Sequence, residues 1–259
     1  MAFLELQDSR IYYELSGSER RPALLFSNSL GTNISMWDRQ MPILARDFRI
    51  LRYDTRGHGQ SSVSPGPYAM DHLADDVLAL LDQLRIDRVH FCGLSMGGMI
   101  GMLLAVQAPQ RLGKLVLCNT APKIGSAEQW NARIDTVRKQ GMQGVVDGVL
   151  ERWFTPRFRA ASPSAIEFTK QMLLKTPVEG YIGCCAAIRD TDLRGAISPI
   201  HAPTLIISGT HDPVAPPSDG HFMEQHIPGA QYKELPAAHL SNIEAAEAFT
   251  MEVSNFLQA

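Results

Sequence analysis

The chain has no apolar run approaching the roughly 20 residues needed to span a bilayer, so no membrane helix is expected. It has no basic excess: 24 Lys and Arg stand against 27 Asp and Glu, a formal net charge of −3. A general binder of nucleic acid or of anionic membrane needs the opposite balance. The start, Met1-Ala2-Phe3-Leu4-Glu5-Leu6, carries an acid where a secretory leader has a basic segment. A cytoplasmic protein is therefore expected. Cysteine is scarce, and none of Cys92, Cys118, Cys184 and Cys185 stands at zinc-ligand spacing from another Cys or a His. In a reducing compartment these thiols read as small core hydrophobes, with neither a disulfide nor a metal expected. There is no internal repeat and no low-complexity tract. What remains is an ordinary globular balance, 45% hydrophobic and 20% charged, over 259 residues. That excludes disorder and fits one large domain or one domain carrying an insertion.

Strand and helix patterns alternate along the chain. Ile11–Leu15 reads as an early strand. Ala23-Leu24-Leu25-Phe26 is a short continuous apolar run, as expected of a strand buried on both faces. Phe48–Tyr53, Val89–Cys92, Leu115–Cys118, Thr204–Ile207 and Gln231–Leu235 follow. Between residues 70 and 85, Leu73, Val77, Leu80, Leu81 and Leu84 keep helical spacing. The last helix reads as opening on a Ser241/Glu244 capping box, with Phe249, Val253, Phe256 and Leu257 on one face. Such alternation predicts a mostly parallel sheet covered by helices.

The alternation stops between residues 121 and 195, where only helical patterns occur. Ser162-Pro163 reads as a helix start. Thr176-Pro177-Val178-Glu179 reads as another, with a capping box. Thr155-Pro156 and Lys175-Thr176-Pro177 read as breaks. A helical block inserted into a parallel sheet is expected to form a cap (121–195) on a core made of 1–120 and 196–259. Its place is over the sheet's C-terminal edge, where open α/β sheets bind ligands.

The chemistry begins at Gly93-Leu94-Ser95-Met96-Gly97, a G-x-S-x-G pattern. Alone, it is also what a glycine-rich turn with an incidental serine would look like. Its setting argues for more, because a strand runs directly into it and a helical run, Gly98–Ala105, leads directly out. A serine on a sharp strand-to-helix turn needs small neighbours, and the turn lifts its hydroxyl to the top of the sheet. A serine hydroxyl is a poor nucleophile without a base. On such a scaffold the partners follow in the order Ser, Asp or Glu, His. Asp212 lies just past strand 204–207, and His239 just past strand 231–235. The expected roles are Ser95 as nucleophile, His239 as general base and acid, and Asp212 as the group that orients the imidazole. His211 adjoins Asp212, and His58 lies in the glycine-rich Asp54–Ser61 segment, read as a structural turn. His72, His90, His201, His221 and His226 read as surface or otherwise satisfied. An oxyanion needs two donors. The expected pair is the Met96 N–H and, from the loop Ser27–Thr32, the Leu30 N–H.

On these residues the sequence resembles the α/β-hydrolase family over nearly its whole length. Within it, the chain is similar to the 3-oxoadipate enol-lactonases of the β-ketoadipate pathway. The segments that carry this are Asn28–Thr32, Gly93–Gly98, Trp130–Ile134, Arg152–Pro156 and Tyr181–Asp192. Many relatives have His-Gly where this chain has Asn28-Ser29, a departure similar to the lactonase version. The resemblance implies a mostly parallel eight-stranded sheet flanked by helices with an inserted all-helical cap. It implies hydrolysis of 3-oxoadipate enol-lactone to 3-oxoadipate through an acyl-enzyme, without cofactor or metal. In some organisms the lactonase is fused to a decarboxylase domain; this chain stops after its last helix, so no fusion is expected.

Residues 121–195 hold 11 Lys and Arg against 8 Asp and Glu, a net of +3, which leaves −6 on the remainder. A positive cap over an acidic body suits a small anionic substrate, although solvated helix faces give the same count. Arg133 is the first candidate for the substrate carboxylate, since a guanidinium grips carboxylate bidentately. Arg189 and Arg138 stand in reserve. Trp153 either packs on the lactone ring or belongs to the cap's own core. A broad carboxylesterase, a C–C bond hydrolase and a cofactor-free perhydrolase would use the same three residues. A non-catalytic ligand sensor on this fold has little need of an activated serine.

Overall fold

The continuous apolar runs become central strands. The computed structural model describes residues 2–259. Eight strands form one sheet: β1 (Ala2–Glu5), β2 (Arg10–Ser16), β3 (Ala23–Ser27), β4 (Arg49–Tyr53), β5 (Val89–Leu94), β6 (Leu112–Cys118), β7 (Thr204–Gly209) and β8 (Gln231–Leu235). Their order across the sheet is β1-β2-β4-β3-β5-β6-β7-β8. β1 and β2 run antiparallel at one edge, and β4 through β8 are parallel throughout. The mostly parallel eight-stranded sheet is thus as expected. The interior strands β3, β5, β6 and β7 are buried on both faces along most of their length, which is why they read as unbroken apolar runs rather than alternating ones.

Helices α1 (Met41–Leu44), α2 (Met70–Gln83) and α3 (Met96–Gln107) belong to the first half, and α9 (Pro217–His226), α10 (Ser241–Glu244) and α11 (Ala246–Gln258) to the second. α2 buries Leu73, Val77, Leu80 and Leu81 and leaves its acids outside, apart from Asp76. α3 is apolar all round and buried from Met96 to Ala105, between the sheet and α2. Five helices between β6 and β7 make the cap: α4 (Ala127–Gln140), α5 (Gln143–Trp153), α6 (Pro156–Ala161), α7 (Pro163–Leu174) and α8 (Val178–Asp190). No helix among the described residues is long and apolar enough to cross a membrane. All four cysteines are free and buried.

Several local readings need correction. β1 does not stand out in sequence; it forms by adding four residues to β2, with Leu4 buried. Ser241 and Glu244 do not make a capping box. Ser241 lies inside α10, whose N-cap is Leu240, and the chain breaks at Ala245 before α11 begins. Thr176 does not cap α8 either, since Pro177 occupies that position. The Thr176 hydroxyl instead donates to Gly31 O (3.2 Å) and Met172 O (3.3 Å). Ser162 is the N-cap of α7, with Pro163 at N1, but its side chain makes no capping bond. The capping box that does form is Ser126/Gln129, at the start of α4.

Candidate active site

Four loops at the C-terminal ends of parallel strands converge beneath the cap. The first is the turn after β5. Ser95 has φ 57° and ψ −116°, outside the ordinary regions for a residue with a side chain. The strain is held by bonds on both sides: Ser95 N–H donates to Cys118 O (2.9 Å), and Ser95 O accepts from Gly98 N–H (2.9 Å) and the Thr120 hydroxyl (2.7 Å). The flanking glycines are a steric requirement. A Cβ at Gly93 would sit 2.2 Å from Gly97 O, and one at Gly97 would sit 2.2 Å from Ser27 O. That is the crowding expected of a strand–turn–helix nucleophile elbow.

After β7 comes Asp212, after β8 His239, and both are buried. His239 Nδ1 lies 2.8 Å from Asp212 Oδ2. A carboxylate oxygen only accepts, so Nδ1 carries the proton and Nε2 is left as a base. Asp212 Oδ1 accepts from the Val214 N–H (2.8 Å) and Ala215 N–H (3.2 Å), which fixes the carboxylate plane. Asn119, not singled out from the sequence, and Ser241, read there only as a capping residue, complete this cluster. Asn119, at the end of β6 with φ 44°, donates Nδ2–H to Asp212 Oδ2 (3.0 Å) and to Ala238 O (3.1 Å). Ser241 donates its hydroxyl to Asn119 Oδ1 (2.5 Å) and so sets which way the amide faces. One buried amide thereby steadies both the acid and the segment leading into the histidine. Its only sequence signal is position, directly after a buried strand.

The fourth loop, after β3, carries Leu30. Asn28 anchors it, donating Nδ2–H to Tyr53 O (2.8 Å) and accepting from Trp37 Nε1–H (2.8 Å). Thr32 closes the turn, its hydroxyl donating to Ser29 O (2.7 Å). Among the described residues, neither the Leu30 N–H nor the Met96 N–H donates to a protein acceptor. Both amides are therefore available to an oxygen placed between them.

Ser95, His239 and Leu30 line a chamber of about 20 Å³, together with the cap residues Arg133, Arg152 and Trp153. A groove of about 320 Å³ shares Trp130, Arg133 and Arg152 with it, so the two arginines line both spaces. Arg133 stacks its guanidinium 4.9 Å from the Trp130 ring centre. Arg152 was not singled out from the sequence beyond its place in the Arg152–Pro156 segment. It is half-buried, and burial followed by the like charge of Arg133 lowers its pKa. Among the described residues neither arginine has a carboxylate partner. Two neighbouring like charges without a counter-ion are costly unless an anion joins them.

The reserve arginines lie elsewhere. Arg189 is engaged by Asp190 (2.7 Å) and Asn131 (2.8 Å), and Arg138 is exposed; neither lines the chamber. Trp153 is buried, lines the chamber, and accepts the Leu240 N–H at its carbonyl (3.1 Å). His211 is exposed. His58 is buried under the Leu30 loop and does not line the chamber. His72, His201, His221 and His226 are exposed, and half-buried His90 accepts the Lys114 N–H (3.0 Å).

The cap is tied to the Leu30 and His239 loops at two corners. Thr176 holds Gly31 O, beside Leu30. At the other corner Glu244 accepts from the Thr155 N–H (3.3 Å) and hydroxyl and from the Ala238 N–H (3.0 Å), beside His239.

A family model described as alpha/beta hydrolase fold matches residues 22–246. Two curated proteins of Acinetobacter baylyi are similar along nearly the whole chain. One, a 3-oxoadipate enol-lactonase 2, is 44% identical over 96% of this chain and 94% of its own length. The other, a 3-oxoadipate enol-lactonase 1, is 40% identical over 98% and 95%. The crystal structure of an enol-lactonase from Burkholderia xenovorans LB400 superposes with a TM-score of 0.98 at 44% identity, covering 100% of both chains.

Proposed function

Since this chain belongs to the alpha/beta hydrolase family, we propose that it hydrolyses 3-oxoadipate enol-lactone to 3-oxoadipate by a serine mechanism. The observation that carries the reading is the shared chamber: Ser95 and His239 line it beside two guanidiniums that no protein carboxylate neutralises. The substrate has the matching chemistry, an acyl carbon for the serine and a free carboxylate for the arginines.

In the proposed reaction His239 Nε2 takes the proton of Ser95 as Oγ bonds to the lactone carbonyl carbon. The Leu30 and Met96 N–H groups receive the developing oxyanion. The ring C–O bond then breaks, expelling an enolate, a better leaving group than a simple alkoxide. The imidazolium returns the proton to that fragment, which ends as the ketone and stays tethered in the acyl-enzyme. His239 next takes a proton from water as the water oxygen bonds to the acyl carbon. The Ser95 Oγ–carbon bond breaks, the serine regains a proton, and the diacid leaves. Asp212 stabilises the imidazolium in both halves. No metal or cofactor enters these steps.

Arg133 and Arg152 hold the substrate carboxylate, and Trp153 bounds the ring. A chamber of about 20 Å³ has room for little more than a water. The lactone therefore enters from the larger groove as the two arginine side chains close on its carboxylate. A cytoplasmic setting suits four buried, unpaired thiols.

The test is to supply the enol-lactone and follow its loss by ultraviolet absorbance, beside neutral esters of similar size. Rapid loss of the lactone that disappears in Ser95→Ala is the expected result. Turnover of neutral esters at matching efficiency would make the protein a broad carboxylesterase instead.

A further inference from the structure

His58 is a buried histidine that the chemistry above does not use, in the one glycine-rich segment that the site leaves unexplained. Its Nε2 lies 2.9 Å from the Gly31 nitrogen, whose N–H points at it. An amide N–H can only donate, so Nε2 is unprotonated and the ring proton sits on Nδ1, 3.2 Å from Arg56 O. Burial holds the ring neutral, pushing its pKa down to about 4.

The Gly31 N–H belongs to the Leu30–Gly31 peptide. Fixing that plane restricts Leu30, whose own N–H is the first oxyanion donor. Gly31 is confined on its other side: a Cβ there would sit 2.5 Å from Leu173 Cδ1 and 3.1 Å from the Tyr181 ring, and its φ is +77°. Its carbonyl accepts from Thr176. Gly57, beside His58, lies against the cap just as closely, since a Cβ there would sit 2.5 Å from Gly180 Cα. The imidazole thus bridges the Asp54–Ser61 segment and the loop after β3, with the Cys184 thiol of cap helix α8 4.0 Å from its Nδ1.

We propose that His58 is a positioning residue that aims the Leu30 N–H at the oxyanion, by accepting the Gly31 N–H through its unprotonated Nε2. The inference rests on the serine-hydrolase reading. An oxyanion donor acts on the transition state and leaves ground-state binding nearly alone. Misaiming it therefore lowers kcat without a matching change in KM.

The experiment compares wild type, His58→Leu and His58→Gln. Leu fills the space without an acceptor, and Gln reaches Gly31 with an amide oxygen. Phenylboronic acid serves as the tetrahedral mimic and 3-oxoadipate as the ground-state ligand. For His58→Leu the expected fall in kcat is about 100-fold, the cost typical of one oxyanion donor. KM and 3-oxoadipate affinity should hold within about threefold while boronate affinity falls in step with kcat. His58→Gln should recover most of both losses. If the Leu variant does not fold, His58→Asn, polar but too short to reach Gly31, carries the same expectations. The proposal is overturned if the acceptor-free variant keeps wild-type kcat, if boronate and 3-oxoadipate affinities fall together, or if Gln restores nothing. Retained activity in Ser95→Ala, or no boronate binding to the wild type, would instead bring down the hydrolase reading and this inference with it.

Discussion

The two regions of the molecule contribute different things to one chamber. The sheet region places its groups with backbone: Ser95 on a strained elbow, Asp212 and His239 on loops leaving adjacent strands, Leu30 on a loop anchored by Asn28. The cap places its groups with long side chains on helices, Arg133 from α4 and Arg152 from α5. Backbone fixed by a parallel ladder does not shift by an ångström, whereas a guanidinium on a flexible stem does. In the proposed reaction, bond-making thus falls to the sheet region and recognition to the cap, with a positive cap set on an acidic body.

Ser95→Ala tests that division most severely. On the sheet side it should lower kcat by about 10⁴–10⁶-fold, as losses of a serine nucleophile do. Near-wild-type lactone consumption in a stopped assay would dissolve the comparison. Asp212→Asn comes next, with kcat down about 10⁴-fold, since an amide can hold the wrong tautomer of His239; steady-state rates at neutral pH measure it. On the cap side, Arg133→Ala and Arg152→Ala should each raise KM for the anionic lactone by about 10–100-fold, the range of a charge-assisted hydrogen bond. Neutral esters should hardly notice. Equal losses on charged and neutral substrates would mean that the cap arginines organise the chamber rather than recognise the carboxylate.

The smallest effect sits at the seam between the regions. His58 titrates near its ordinary 6.5 in the unfolded chain and at about 4 in the folded one. Between those values the unfolded state holds more protons, so this residue makes stability fall as pH drops through that window. Asp54, nearby in the same segment, has its pKa raised by burial from 3.8 to about 6 and acts with the opposite sign. His58→Gln should therefore show a smaller drop in Tm between pH 6.5 and pH 4.5 than the wild type. The scale is about 2–4 °C for each kcal/mol in a domain of this size, and scanning calorimetry at the two pH values decides it.

The same contrast governs what could be read in advance. β3, β5 and β6 were legible because burial on both faces leaves unbroken apolar runs. The placing of Ser95, Asp212 and His239 was legible because each follows a strand. β1 was not, because four residues at an antiparallel edge carry little pattern of their own. Thr176-Pro177 and Ser241/Glu244 misled for a shared reason. A hydroxyl or carboxylate that can cap a helix can also bind a distant backbone group, and here Thr176 binds Gly31 while Glu244 binds Thr155 and Ala238. Arg152, Arg138 and Arg189 look alike along the chain. Only helix packing decides that the first lines the chamber with Arg133 and the third meets Asn131.

The ties at Thr176 and Glu244 have a consequence for how such enzymes are rebuilt. A helical roof pinned both to the Leu30 loop and to the His239 loop is no detachable module. Transplanting the roof of a distant cousin to change the diet of the catalyst would loosen both loops together, unless the residues at 155 and 176 travelled with it.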